Sequence, residues 1–591
     1  MTEIHDLTAL DQAAAIRRGE LAPADVLEHY LDRIARIDGR VGAFVTMTPD
    51  AARQTAAALP PADSPLRGVP IGIKDLTATR GVRTTMGSAA MADWVPDFDA
   101  NAVTAIKAAG MPIVGKTATS EFGCSLYTET ALGPPARNPW RLDSTPGGSS
   151  GGAAAAVASG MLPVAHGSDG GGSLRIPAAL CGLVGYKSSR GVVPSGPGNF
   201  GAFGLPTDGA LGRTVADVAA LTVVLTRPAG AQPYPSPLAD PSVLRGLDGP
   251  AAPLRIGRFT DPLIADSEVD PACVAAVDAL AATLADLGHE IVEVERPFDP
   301  DVFDLFLVVW AVLAGWPLPP EAEESLTPVV RWLRGRANAT SALDLVGALA
   351  GLQVRVETAT ARLAGVDLTL CPTIAGTRAA IGAFTSAGGP ADDFAAQARF
   401  SPFCAAFNVL GAPAISLPVG ETPDGLPVGA MLAGKPGADR CCCRWPRRPS
   451  GPDRGRTATP RSGTRGRTAN VSLASAWVVG RFPATLWGRG LSIIETLVVF
   501  AGIPLAVVAV IFGLVYAGGG RSDRRYRPGR PFDFAPVWFL SAPEAQHDAA
   551  SNGHAALTGA NRMALTKAEA QVDAAPGEPI GDVTGGASDR W

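Results

Sequence analysis

Two glycine-serine clusters limit what this chain can fold into more than any other feature. They are Pro146-Gly-Gly-Ser-Ser-Gly-Gly-Ala and Gly167-Ser-Asp-Gly-Gly-Gly-Ser-Leu-Arg, and each abuts apolar segments on both sides. A flexible linker of the same residues would run on in polar sequence. Glycines this dense let backbone approach backbone, and they leave N–H groups free to face a ligand, as anion nests and oxyanion holes require. Residues 153–159 between the clusters read as a small-residue helix, and residues 162–165 as a strand after the Gly160 stop.

The same alternation of helix and strand extends along the chain. From 23 to 38, Val26, Leu27, Tyr30 and Ile34 fall on one helical stripe behind a first-turn Pro23. Residues 69–75 read as a short buried strand carrying Lys74, 102–109 as a helix stopped by Gly110, and 111–114 as a strand. Later helices are expected at 270–287 and 343–363, and strands at 367–370, 414–419 and 428–434. Such alternation predicts an α/β domain around a parallel or mixed sheet. With 591 residues the chain has room for a further unit, and the first domain is expected to span 20–437.

A formal net charge of −6 gives no basic field that would draw the chain onto nucleic acid, so a small-molecule substrate fits better. Residues 1–20 lack a basic region followed by an apolar one, which predicts a cytoplasmic start. Cys124, Cys181, Cys273, Cys371 and Cys404 are scattered without metal-ligand spacing and read as small core residues. With no zinc or Walker motif, neither a metal nor a cofactor is expected.

The motifs taken in order, Gly72-Ile-Lys74-Asp, Thr145-Pro-Gly-Gly-Ser149-Ser-Gly-Gly and Gly167-Ser-Asp-Gly-Gly-Gly-Ser173-Leu-Arg, resemble those of the amidase-signature family. Lys74 and Ser149 are 75 residues apart and Ser149 and Ser173 are 24 apart, as in that family. Ser120-Glu-Phe-Gly, Arg137-Asn-Pro-Trp and Phe407-Asn continue the match. The resemblance implies an α/β/α sandwich around a mixed sheet and a Ser-Ser-Lys group. In that group Ser173 attacks an amide carbonyl, Ser149 relays the proton after a cis Gly148-Ser149 bond, and Lys74 is the base. To act as a base Lys74 must be neutral, which burial away from carboxylates would achieve. Backbone N–H groups of Gly170, Gly171, Gly172 and Ser173 are expected to form the oxyanion hole. Asp169 and Arg175 are expected to position that loop. Gly170 departs from the family pattern, in which a bulkier residue commonly stands there, and the extra glycine is expected to loosen the loop.

Three other patterns compete with this reading. Gly148-Ser-Ser150-Gly-Gly152 satisfies G-x-S-x-G, but no strand precedes it as a nucleophile elbow needs, and the later histidines of the domain are only His166 and His289. His166 reads as a satisfied structural histidine. Gly196-Pro-Gly-Asn-Phe-Gly201 matches G-x-G-x-x-G without the helix that a dinucleotide site requires.

Beyond 437 the chain changes character. Residues 438–490 are rich in arginine and proline, include Cys441, Cys442 and Cys443, and are lysine-free from 441 on, the pattern of a GC-rich frame shifted by one base near residue 440. Residues 497–517, within an expected transmembrane helix at 491–520, are apolar for long enough to cross a bilayer of roughly 30 Å. Arg521, Arg524, Arg525, Arg527 and Arg530 place the 521–591 tail on the cytoplasmic side, and its final stretch from Ala542 reads as disordered. The segment from Leu491 resembles a small actinobacterial single-span protein associated with cytochrome oxidase. The expectation is therefore a hydrolase of carboxamide C–N bonds, acting on a small-molecule amide whose acyl pocket is lined from the apolar region 303–339, with membrane contact through 497–517 if the tail is translated and a homodimer left open. The alternatives are the glutamine-hydrolysing subunit of a tRNA-dependent amidotransferase, and an inactive truncated amidase fused to a membrane protein.

Overall fold

A computed structural model of the chain describes residues 3–198, 202–226 and 252–440. Eleven strands form one mixed sheet: β1 Phe44–Met47, β2 Ile71–Lys74, β3 Ile113–Thr117, β4 Val164–Asp169, β5 Val184–Lys187, β6 Thr207–Gly212, β7 Arg255–Arg258, β8 Glu290–Glu293, β9 Leu368–Pro372, β10 Ala414–Glu421 and β11 Pro427–Gly434. Their spatial order is β1-β3-β2-β4-β6-β5-β10-β11-β9-β7-β8. β2 lies between β3 and β4 and is parallel to both. β4, β6, β5, β10, β11 and β9 then pair antiparallel in turn, and β7 is parallel to β9 and β8.

Side chains alternate across this sheet, as strand geometry demands. Ile71, Ile73, Val164, Ile415, Leu417, Ala430 and Leu432 face one core, against helices Asn101–Ala108, Val215–Leu225 and Pro271–Asp286. Ala165 faces the opposite layer, where helices Pro23–Val41 and Gly151–Ala158 pack. Helices therefore cover both faces of a mixed sheet, the α/β/α layering expected from the motifs. Lys74, three residues after Ile71, shares the parity of Gly72 and points away from the Ile71 and Ile73 core.

Local chemistry sets the element ends. Helix Pro23–Val41 begins with proline in its first turn and ends at Gly42, which takes a left-handed φ of 68°. Every residue of helix Gly151–Ala158 is buried. Glycine is required at its start, because a Cβ on Gly152 would lie 2.4 Å from Ala118 N and 2.5 Å from Ala43 O. At the far end Asp439, two residues past the expected edge, is buried and accepts hydrogen bonds from Tyr186 OH (2.6 Å), Ser189 N (2.9 Å) and the Ser189 hydroxyl (2.5 Å).

From residue 441 on, the arginine-rich segment, the expected transmembrane helix and the tail beyond it lie outside the described residues. Among the described residues, no helix is long and apolar enough to cross a membrane.

Candidate active site

β2 and β4 run parallel, so their carboxyl ends open on the same side, where ligands of α/β sheets characteristically sit. β2 ends at Lys74, and β4 ends at Asp169 and feeds directly into Gly170–Ser173. The serine cluster at 149–150 closes the same space as the cap of helix Gly151–Ala158.

Lys74 is fully buried, and its Nζ lies 2.8 Å from Ser149 Oγ, 3.0 Å from Ser168 Oγ and 3.2 Å from Ser168 O. Burial pushes its pKa down from 10.5 to about 7, against a partial upward pull from Asp169 and Asp208. The adjacent carboxylate does not undo this. Asp75 faces the other way, bonded to Thr85 N at 2.9 Å and paired with buried Lys116 at 3.8 Å. A neutral amine keeps two N–H donors and one lone pair, so Lys74 can donate to Ser168 O and to one hydroxyl while accepting from the other.

The Gly148–Ser149 peptide bond is cis, as the motif implies. Ser149 is 2% and Ser173 8% exposed, and Ser173 lines a cavity of about 70 Å³ together with Gly148 and Gly171. Lys74 and Ser149 are therefore joined by a hydrogen bond. The Ser173 hydroxyl makes none among the described residues.

The loop after β4 is held by a buried carboxylate. Asp169 accepts from Gly172 N (2.8 Å), Leu174 N (3.1 Å), Arg175 Nε (2.9 Å), an Arg175 terminal nitrogen (2.8 Å) and Asn408 Nδ2 (3.0 Å). Burial pushes its pKa up, but the Arg175 guanidinium outweighs that and holds the carboxyl far below the usual carboxylate range. Asp169 and Arg175 are thus loop-positioning residues, as expected. The oxyanion-hole expectation needs one correction. The Gly172 amide is committed to Asp169, whereas the N–H groups of Gly170, Gly171 and Ser173 have no partner among the described residues.

Sequence reasoning missed two contributors, Ser168 and Asn408. Ser168 carries no expected role within its cluster, although its position beside Asp169 on the strand leading to the loop was the available signal. Asn408 links Arg175 to Asp169 at the start of the loop, whereas Trp310, in the 303–339 stretch expected to line the acyl pocket, forms part of the cavity wall. Ser150 is no elbow: it is fully buried, its Oγ donates to Ser168 O at 3.2 Å, and its N–H donates to Ser173 O at 3.2 Å. His166 is buried on β4 with Nε2 3.3 Å from Asp208 Oδ1, but neither ring nitrogen is hydrogen-bonded, so the satisfied histidine expected there is not what the structure shows. The five described cysteines are buried and free, and burial raises the Cys124 thiol beside the cavity to about 12.

A buried lysine brought by burial to about 7 and hydrogen-bonded to a serine, with a second serine among free backbone donors, is an arrangement suited to a serine hydrolase that uses lysine in place of histidine. Comparison with known proteins gives the family. The Amidase family model matches residues 25–443, and the chain belongs to that family. It is 35% identical over 454 residues to a putative amidase of Synechocystis sp., covering 74% of this chain and 87% of the relative. A glutamyl-tRNA(Gln) amidotransferase chain of a Roseiflexus species is 39% identical over 322 residues, 52% of this chain and 64% of that one. The solved structure of 6-aminohexanoate cyclic dimer hydrolase complexed with substrate superimposes with a TM-score of 0.70 at 29% identity, covering 75% of this chain and 96% of that chain. The chain is a hydrolytic amidase acting on C–N amide bonds.

Proposed function

We propose that Ser173 is the nucleophile, Ser149 the proton relay and Lys74 the base in hydrolysis of uncharged carboxamides with an apolar acyl group. The observation that carries this reading is the buried Lys74–Ser149 hydrogen bond at 2.8 Å, with the lysine brought to about 7 by burial. Ser173 Oγ attacks the carbonyl carbon as its proton passes to Ser149 and the Ser149 proton passes to Lys74. The oxyanion meets the free amides of Gly170, Gly171 and Ser173. Collapse breaks the C–N bond, and the amine departs with a proton returned through Ser149. Water then attacks the acyl-enzyme, giving its proton to the same relay, and the carboxylic acid leaves as Ser173 is restored. The one leg not hydrogen-bonded is Ser149 to Ser173; such contacts commonly tighten only when substrate is bound.

The cavity supports the substrate class. Its walls include Ile176, Ile264, Phe303, Phe306, Trp310 and Phe394, and none of its lining side chains is charged. Glutamine carries an α-ammonium and an α-carboxylate, whose desolvation needs counter-charges that this wall lacks. That favours an amidase of apolar amides over a glutamine-hydrolysing subunit. The test is hydrolysis of acyl p-nitroanilides against glutamine, with kcat/KM followed over pH. Anilide hydrolysis with an acid limb near 7 is the expected result, and glutaminase activity above anilide activity would reverse the reading.

A further inference from the structure

Gly170 is the place where this loop departs from its motif, and the backbone does not require the departure. Among the loop glycines Gly172 has a φ of +129°, but Gly170 is absent from the positive-φ region and could carry a side chain without backbone strain. What a side chain would meet is Trp310. A Cβ at 170 would lie 3.2 Å from Trp310 Cζ3 and 3.3 Å from Cη2, closer than comfortable van der Waals contact. The indole is therefore laid against the oxyanion loop because residue 170 has no side chain.

Packing alone keeps the indole there. Trp310 Nε1 is buried and has no hydrogen-bond partner. The ring stacks on Phe306, with centroids 5.2 Å apart and planes 23° apart, and Phe306 in turn stacks on Phe303 at 6.2 Å and 21°. Phe303, Phe306 and Trp310 all line the cavity that holds Ser173. A ring held by stacking, without a polar tether, moves when its neighbour grows.

We propose that Gly170 and Trp310 are one specificity-determining pair: the glycine seats the indole as a wall of the acyl pocket, and the resulting slot selects flat, uncharged acyl groups such as aroyl groups. This rests on the reading that the acyl group enters the cavity beside Ser173. Neither residue acts chemically through its side chain. The effect is on which acyl group reaches the nucleophile.

The test is a double-substitution cycle with p-nitroanilides that share one leaving group and differ in acyl group, benzoyl against acetyl, read as the ratio of kcat/KM values. Gly170→Thr, which drives the indole into the slot, is expected to shift the ratio at least ten-fold toward acetyl. In a Trp310→Ala background the same substitution is expected to change the ratio by less than two-fold, because the ring through which it acts is gone. Ratios unmoved by Gly170→Thr, or a ten-fold shift that persists without Trp310, would overturn the pairing. If Gly170→Thr does not fold, Gly170→Ala serves, with a smaller shift in the same direction and the same dependence on Trp310. Labelling of Ser173 by a small fluorophosphonate in the unsubstituted protein is measured alongside. Its absence would sink the nucleophile assignment, whereas intact labelling with an unmoved ratio sinks only the pair.

Discussion

Replacing Lys74 by methionine removes the proposed base and also takes an ionisable group out of the centre of the fold, so it is predicted to change activity and stability in opposite directions at neutral pH. An amine that titrates near 7 in the fold and at 10.5 in its ordinary state binds its proton in the unfolded chain, but not in the native one, throughout that window. Stability therefore rises with pH between the two values. At ~1.4 kcal/mol per pH unit, the lysine destabilises the fold by about 4 kcal/mol at pH 7. Three hydrogen bonds, to Ser149 Oγ, Ser168 Oγ and Ser168 O, offset part of this, at about 1 kcal/mol each. The methionine variant is thus expected to be more stable at pH 7 by roughly 1 kcal/mol and, after a relative shift of about 2 kcal/mol, less stable by roughly 1 kcal/mol at pH 9. Lys116 and Lys187, also pushed down by burial, to about 8 and about 7, are present in both proteins and cancel in the difference. Anilide hydrolysis should fall by at least about 10²-fold, the usual contribution of a general base. Urea unfolding of both proteins at pH 7 and pH 9, with parallel kinetics, measures all of this. A stability difference that does not change with pH, or a variant that retains more than a tenth of the activity, would refute the argument that Lys74 is a buried neutral base.

Other substitutions probe the parts around it. Gly172→Ala would place a Cβ 2.6 Å from Ile176 and 2.7 Å from Cys404 on a backbone with φ of +129°, so both the unfolding midpoint and kcat should drop. Asp169→Asn leaves the fully buried Arg175 without its counter-charge and is expected to lose about 3 to 5 kcal/mol in urea unfolding. Asp439→Ala removes the acceptor of three buried hydrogen bonds and should destabilise by about 2 to 4 kcal/mol while leaving the acid limb of the pH profile in place.

The catalytic candidates were legible because dense glycine and serine between apolar segments are rare and carry backbone consequences of their own. Less legible was what depends on distant parts of the chain. Gln397 and Ala405 meet Ser173 on one cavity wall from more than 220 residues away in sequence, and nothing local marks them. The fate of the Gly172 amide depended on where Asp169 turns, which composition does not encode. Strand positions shifted for a related reason. Residues 111–114 and 162–165 marked the apolar stretches, but β3 runs through Gly115, Lys116 and Thr117 and β4 through His166 to Asp169. Those polar ends are buried by tertiary packing that periodicity does not see. β1 and β5 to β8 were not read as strands for the same reason, being short and mixed in polarity. Gly170 was expected to loosen the loop, yet it lies against Trp310 and its stacked rings.

The central claim, an assembled Lys74–Ser149–Ser173 relay, is tested most directly by reacting the purified full-length chain with a fluorophosphonate and locating the adduct by peptide mass spectrometry. The Lys74→Met variant is treated in parallel. The account predicts an adduct on Ser173 in the native protein and none in the variant. An adduct on Ser150, or labelling of Ser173 that is indifferent to Lys74, would contradict it.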